Sequence, residues 1–214
     1  MLRSTLIILS LALLLQGCGA PDKPTVSLYL AVQRGDIEQV ERHIYWGTDL
    51  NSAFPNGRYP IHDAADIGRI ILLKELIGNG AQLDVVDSAG RTAIDLAILS
   101  GRTQAAEVLV AAGAGYDASQ LLLLAAQNDA TDRDIVRFLA THGANLEATD
   151  EQGNTPLIIA TSRGNHRLVH HLVEQGAPIN TRNTEGRSAL DVASDIGATE
   201  IESFLLRNGA VRKR

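Results

Sequence analysis

Few side chains in this sequence stand at the spacings that chemistry needs. His166 and His170 are four residues apart, the separation at which two imidazoles share one side of a helix and could hold a metal ion; His171 adjoins them and Glu174 follows one turn later. No cysteine or carboxylate falls within the same turn to complete a structural site, so no metal is expected there. Asp63 with Asp66, and Asp191 with Asp195, offer the paired carboxylates of acid–base catalysis, but at these spacings on a solvated helix they read as polar surface. There is no G-x-S-x-G elbow, no phosphate loop and no H-E-x-x-H. Neither a catalytic residue, a cofactor nor a small-molecule substrate is expected. One cysteine is present, Cys18.

The elements that must carry these groups are plainest between Gly153 and Asn180. Thr155 can accept a hydrogen bond from the first free amides of a helix, and Pro156 then occupies the first helical position, where its missing N–H costs nothing. Leu157, Ile159 and Ala160 give that helix a narrow apolar side, and Gly164 can take the left-handed conformation that ends it. A second helix is expected over Asn165 to Gln175, with Leu168, Val169, Leu172 and Val173 on one buried face and Gly176 closing it.

A helical hairpin of this size cannot bury its own apolar stripe, and the sequence repeats it. Closing glycines stand at 47, 80, 113, 143, 176 and 209, with successive differences of 33, 33, 30, 33 and 33. Glycines between the helices stand in step at 35, 68, 101, 164 and 197. Two punctuators sharing one period define a repeat array. The residues Thr155-Pro156-Leu157 and Tyr59-Pro60-Ile61-His62-Asp63-Ala64-Ala65 resemble the T-P-L-H-x-A-A signature of ankyrin repeats. Gly80-Ala81-Gln82-Leu83-Asp84, Gly143-Ala144-Asn145-Leu146 and Gly176-Ala177-Pro178-Ile179-Asn180 resemble the family's G-A-D-V-N end. The resemblance implies an all-α solenoid of about six helix-turn-helix repeats with short β-hairpin or loop connections, spanning residues 26–211. It also implies that His62 is structural, bonding to backbone in the neighbouring turn, and that His170 takes a solvent-facing position with His171 nearer the buried side.

The repeats differ in informative ways. The first lacks Thr-Pro and reads as an N-terminal cap, with Tyr45 and Trp46 packing at its edge. The third and sixth start on Thr92-Ala93 and Ser188-Ala189 and carry Asp95 in place of the family histidine in the third. In the fourth, the loop between Gly115 and Leu121 is shortened while Asn128 to Asp132 lengthens the turn between helices, which accounts for the spacing of 30.

Aromatic residues make up only 4% of the 214, so the interior must be packed by alanine and branched aliphatics on close helices. A net charge of −6 argues against nucleic acid as a partner; the basic end, residues 212–214, is a short solvated tail. At the other end Arg3 precedes an apolar run from Leu6 to Leu15 that is short for a bilayer span. Leu15-Gln16-Gly17-Cys18 resembles a bacterial lipobox. That resemblance implies a signal peptide over residues 1–17, a lipidated Cys18, a tether over 18–25, and membrane attachment through the lipid. Gly19 after the cysteine resembles an outer-membrane destination facing the periplasm. An ordinary secretory leader and an uncleaved anchor are the alternatives. A lone cysteine in an exported chain cannot form an internal disulfide, which fits lipid attachment. Seven residues from Gly19 to Thr25 reach roughly 25 Å, so the array would work close to the membrane.

Ankyrin arrays bind other proteins through the hairpin tips and first helices, and the resemblance carries that expectation to particular positions. On the first helices these are Asp66, Ile67, Leu99, Ser100, Ser162, Arg163, Asp195 and Ile196; on the hairpins, Arg58, Arg91 and Arg187. Ile67, Leu99 and Ile196 are either a desolvating contact patch or packing for adjacent hairpins. The expected partner is a protein whose identity the sequence does not name. An immunity or inhibitor protein acting on a periplasmic toxin or enzyme, an enzyme with an unrecognised site, and an envelope spacer are the competing readings.

Overall fold

The computed structural model describes residues 20–129 and 133–212; Cys18 and the leader before it lie outside the described residues, as do Lys213 and Arg214. Among the described residues, twelve helices form six pairs. They are α1 (Leu28–Arg34) with α2 (Ile37–Tyr45), α3 (Pro60–Ile67) with α4 (Ile70–Gly78), and α5 (Ala93–Leu99) with α6 (Thr103–Ala111). The series continues with α7 (Ala118–Gln127) and α8 (Arg133–Thr141), α9 (Pro156–Ser162) and α10 (His166–Glu174), and α11 (Ala189–Asp195) and α12 (Thr199–Arg207). No strand occurs among the described residues, only an isolated antiparallel bridge between Arg182 and Ser188. None of the described helices is long and apolar enough to cross a membrane.

Short polar side chains start the first helices. Thr155 accepts from Ile158 N at 3.4 Å ahead of Pro156. Thr92 and Ser188 complete reciprocal boxes with Asp95 and Asp191, whose carboxylates take back the Thr92 and Ser188 amides at 2.7 and 2.9 Å. On the second helices Asp36 and Asn165 do the same work, accepting from Gln39 N and Leu168 N. Where one helix hands over to the next, Gly35, Gly68, Gly101, Gly164 and Gly197 adopt φ between 67° and 77°. The fourth pair has no glycine at this point. Asp129 takes the left-handed conformation instead, at φ 56°, the only non-glycine with positive φ among the described residues.

The helices stack in two layers, each first helix against the next first helix and each second against the next second, with a pair's own members also in contact. Contacts are denser in the first-helix layer, and the alanines there explain why: Ala31, Ala64, Ala65, Ala93, Ala97, Ala125, Ala160, Ala189 and Ala193 are fully buried. The second layer carries the bulk, through Val40, Leu72, Leu73, Leu76, Leu109, Leu139, Leu168, Leu172 and Leu205. Asn51 staples the first repeat to the second, donating to Gly80 O and accepting from Gln82 N; Asp84 accepts from Gly115 N, and Asn180 treats Gly209 and Val211 as Asn51 treats Gly80 and Gln82.

Tyr45 and Trp46 sit at the edge of the cap, as expected, but on its outside. Tyr45 is 59% and Trp46 45% exposed, the two rings meeting edge to face. Trp46 instead holds the chain that precedes the array, its indole N–H donating to Pro21 O at 3.1 Å with Lys23 above the ring.

Candidate functional site

The third, fifth and sixth hairpin tips are built from a single local device. Asp87 N–H donates to Arg91 O at 2.9 Å, and the Asp87 carboxylate accepts from the Ala89 and Arg91 amides at 2.8 and 3.0 Å. Asp150 repeats this with Gln152 and Asn154, and Asn183 with Glu185 and Arg187. Burial pushes the Asp87 carboxyl up, but the Arg91 guanidinium at 2.8 Å and the two amides outweigh it and bring its pKa down to about 2. The tips also bond to one another. Ser88 N–H reaches Gly57 O at 3.2 Å, joining the second and third tips. Thr184 N–H reaches Gln152 O at 3.3 Å and Asn183 bonds Asn154 at 2.8 Å, joining the fifth and sixth.

Behind the tips, the polar positions expected to meet a partner are largely engaged within the chain. Arg58 lies 2.6 Å from Asp66 and 3.2 Å from Asp63, whose other oxygen accepts from Gln33 at 2.7 Å. Ser100 from the next repeat donates to Asp66 in a short hydrogen bond. Gln33, Asp63, Arg58, Asp66 and Ser100 thus form one chain of bonds across the first three repeats. Arg91 binds Asp87, and Arg187 binds Asp195 at 2.6 Å. Arg163 binds Asp129 at 2.5 Å, and Ser162 turns its hydroxyl to Ile159 O. Ile67 and Leu99 are half-buried, whereas Ile196 is 48% exposed. The only sequence signal of Asp129's part in the pairing with Arg163 is the glycine missing from the fourth repeat.

His62 is fully buried and structural: its Nδ1 accepts from Tyr59 N at 3.1 Å and its Nε2 donates to Val85 O at 3.0 Å. Burial depresses its pKa and leaves the imidazole neutral, the form this bonding requires. The second histidine group is tighter than its spacing implied. Glu174 turns back to lie 3.4 Å from His170 Nδ1 and 3.5 Å from His171 Nδ1, and ligand atoms of the three fall within 4.8 Å of one another. Arg133 also approaches Glu174 at 3.7 Å, and the His170 ring stacks on Phe204 at 4.8 Å. A guanidinium thus competes for the carboxylate, and an aromatic ring holds one imidazole.

Paired helices stacked in register and linked by short tips that bond sideways define a helix-pair repeat solenoid. A model of ankyrin repeats matches residues 28–120 and again 122–213, and the chain belongs to that family. It is 32% identical over 192 residues to the Danio rerio protein named as the palmitoyltransferase ZDHHC13, covering 82% of this chain and 28% of the other. It is 30% identical over 156 residues to a Dirofilaria immitis L-asparaginase, covering 70% and 26%. The chain therefore spans only about a quarter of the length of these relatives. Among solved structures it resembles the ankyrin repeat domain of Bcl-3, with TM-score 0.73, 25% identity and 89% of each chain covered. It also resembles a chain in the complex of a Bdellovibrio bacteriovorus predatory endopeptidase with an immunity protein, with TM-score 0.69, 25% identity, and 86% of this chain and 99% of that one covered.

Proposed function

We propose that this chain is a membrane-tethered protein of the bacterial envelope that binds another protein through its first helices and hairpin tips and catalyses nothing itself. The observation that carries the binding part is the arrangement of the tips: locally rigid turns on a close-packed helical layer, with side chains between them fixed by ion pairs. Such a face is pre-organised, so little conformational entropy is lost when a partner docks. An interface of about 800 Å² per partner fits a six-repeat face. The tether part rests on the lipobox-like Leu15 to Cys18, with residues 1–17 as signal peptide, 18–25 as lipidated linker, 26–211 as the array and 212–214 as a tail; the destination is the outer membrane, facing the periplasm.

A photo-crosslinking residue at Ser100 or Arg163 in intact cells should trap one protein reproducibly; a search that traps none would count against the binding part. Cys18→Ser should move the chain from membrane to soluble fractions, and unchanged membrane association would remove the lipid anchor. The narrower reading, an immunity protein that neutralises an envelope enzyme, is favoured by the likeness to a chain in the complex of an endopeptidase with an immunity protein. Protection of cells against an exported hydrolase, lost when the gene is deleted, would distinguish it from a scaffold.

A further inference from the structure

The row of hairpin tips has a gap. Tips two and three are bonded to each other, and so are tips five and six, but the fourth repeat has no tip to join them. Its chain passes from Tyr116 to Asp117 and straight into α7, Asp117 accepting from the Ser119 and Gln120 amides at 2.8 and 3.2 Å. Gly115 does not take the left-handed conformation seen at the other tips' glycines, 57, 90, 153 and 186. The sequence spacing of 30 and the broken row are the same fact seen twice.

A cavity of about 760 Å³ lies where that tip is missing, between Arg91 of the third tip and Glu151 of the fifth. Its floor is the exposed side of α7, where Gln120, Leu124 and Gln127 follow one another along the helix beside Tyr116. Its rim is acidic: Asp95, Asp117, Asp150 and Glu151 all line it. No cation among the described residues pairs with any of these four. Asp95, Asp117 and Asp150 are spent on capping Thr92 and on backbone amides, which orient them without neutralising them. Arg91, the cation on the rim among the described residues, is committed to Asp87.

We infer that this gap is a socket for a protruding loop of the protein partner that carries lysine or arginine at its tip. The occupant follows from shape and charge together. The width of one absent tip admits one chain reversal. The apolar and amide floor suits the aliphatic stem of a long basic side chain, and the unpaired carboxylates suit its head. An acidic or purely apolar tip would leave these carboxylates without a counter-charge. The socket rests on the protein-binding reading and specifies which part of a partner enters.

The test uses the full isotope-labelled chain and three disulfide-closed peptide loops, identical except for two lysines, two glutamates or two norleucines at the tip. Amide shifts at Gln120, Leu124, Gln127 and Glu151 should move with the dilysine loop and not with the other two. Glu151→Lys should weaken that binding by roughly three- to tenfold, and Gln120→Trp, which fills the gap from an exposed position, should abolish it. Equal response to all three loops, shifts spread over acidic surface elsewhere such as Glu200, or indifference to Gln120→Trp would each overturn the socket. If Ser100 traps a partner while the dilysine loop shows no preference, the socket fails and the binding reading stands. If Ser100 traps nothing, the binding reading fails and the socket falls with it.

Discussion

Arg58→Ala should destabilise the first three repeats far more than removal of an ordinary surface arginine. Arg58 stands 2.6 Å from Asp66 and 3.2 Å from Asp63, and the Asp63 side chain is only 1% exposed. Without the guanidinium, Asp63 keeps a single neutral donor, Gln33, and a buried carboxylate is left without a counter-charge. Breaking a buried ion pair costs about 3–5 kcal/mol, while exposed pairs contribute under about 1 kcal/mol. The Arg58 side chain is 25% exposed, so water reaches the site and the loss should be about 2 kcal/mol. A repeat array opens piecewise, so the readout is amide exchange by helix: protection in α1, α3 and α5 should fall by about 30-fold while α11 is unchanged. Arg137→Ala, whose pair with Asp134 is 59% and 55% exposed, should change protection by less than about threefold. Adding Asp63→Asn to Arg58→Ala should recover part of the loss, because the uncompensated charge disappears. If Arg58→Ala proves no worse than Arg137→Ala, the network is decoration and the reasoning fails.

The remaining predictions concern acid, the fourth repeat and the histidines. The folded-state pKa of Asp87 is about 2 against an ordinary 3.8, so it contributes stability above about pH 4 that is lost as pH falls toward 2; Arg91→Ala should move the urea midpoint's acid limb upward in pH. His62 is also depressed, below its ordinary 6.5, so the unfolded chain protonates first and stability drops as pH falls below 6.5; His62→Gln should flatten that part of the urea-midpoint profile. Exchange protection should be lost first between Gly115 and Asp134, where the tip is absent and Asp129 replaces a glycine, and uniform protection would oppose this. Zinc titrated calorimetrically should release no heat attributable to His170, His171 and Glu174, because Arg133 competes for the carboxylate; a stoichiometric isotherm lost in His170→Ala would reverse this.

The architecture was legible because its signals are local. A threonine before a proline and a glycine after an apolar stripe act within a few residues, and their period converts local signals into a stack. Thr155, Pro156 and Gly164 do in the structure what their types imply. The direction of long side chains was not legible in the same way. Arg58, Asp66, Arg163 and Arg187 stand at positions where a partner could be met, yet each spends its charge on a neighbour, because a flexible side chain's partner depends on three-dimensional reach. Glu174 shows the same limit, one turn away in sequence and in contact with both histidines in space. The 30-residue spacing was visible as a shortened loop, but a gap between two bonded pairs of tips required coordinates.

The central claim is that the first-helix and hairpin side is the working face and the second-helix side is not. It is tested most directly by the affinity of the trapped partner for two purified variants: Leu99→Asp with Ile196→Asp on the first-helix side, and Ile71→Asp on α4, where Ile71 is 71% exposed on the opposite side. The account predicts binding at least about tenfold weaker for the first and unchanged for the second. Full binding by the first variant together with loss in the second would contradict it.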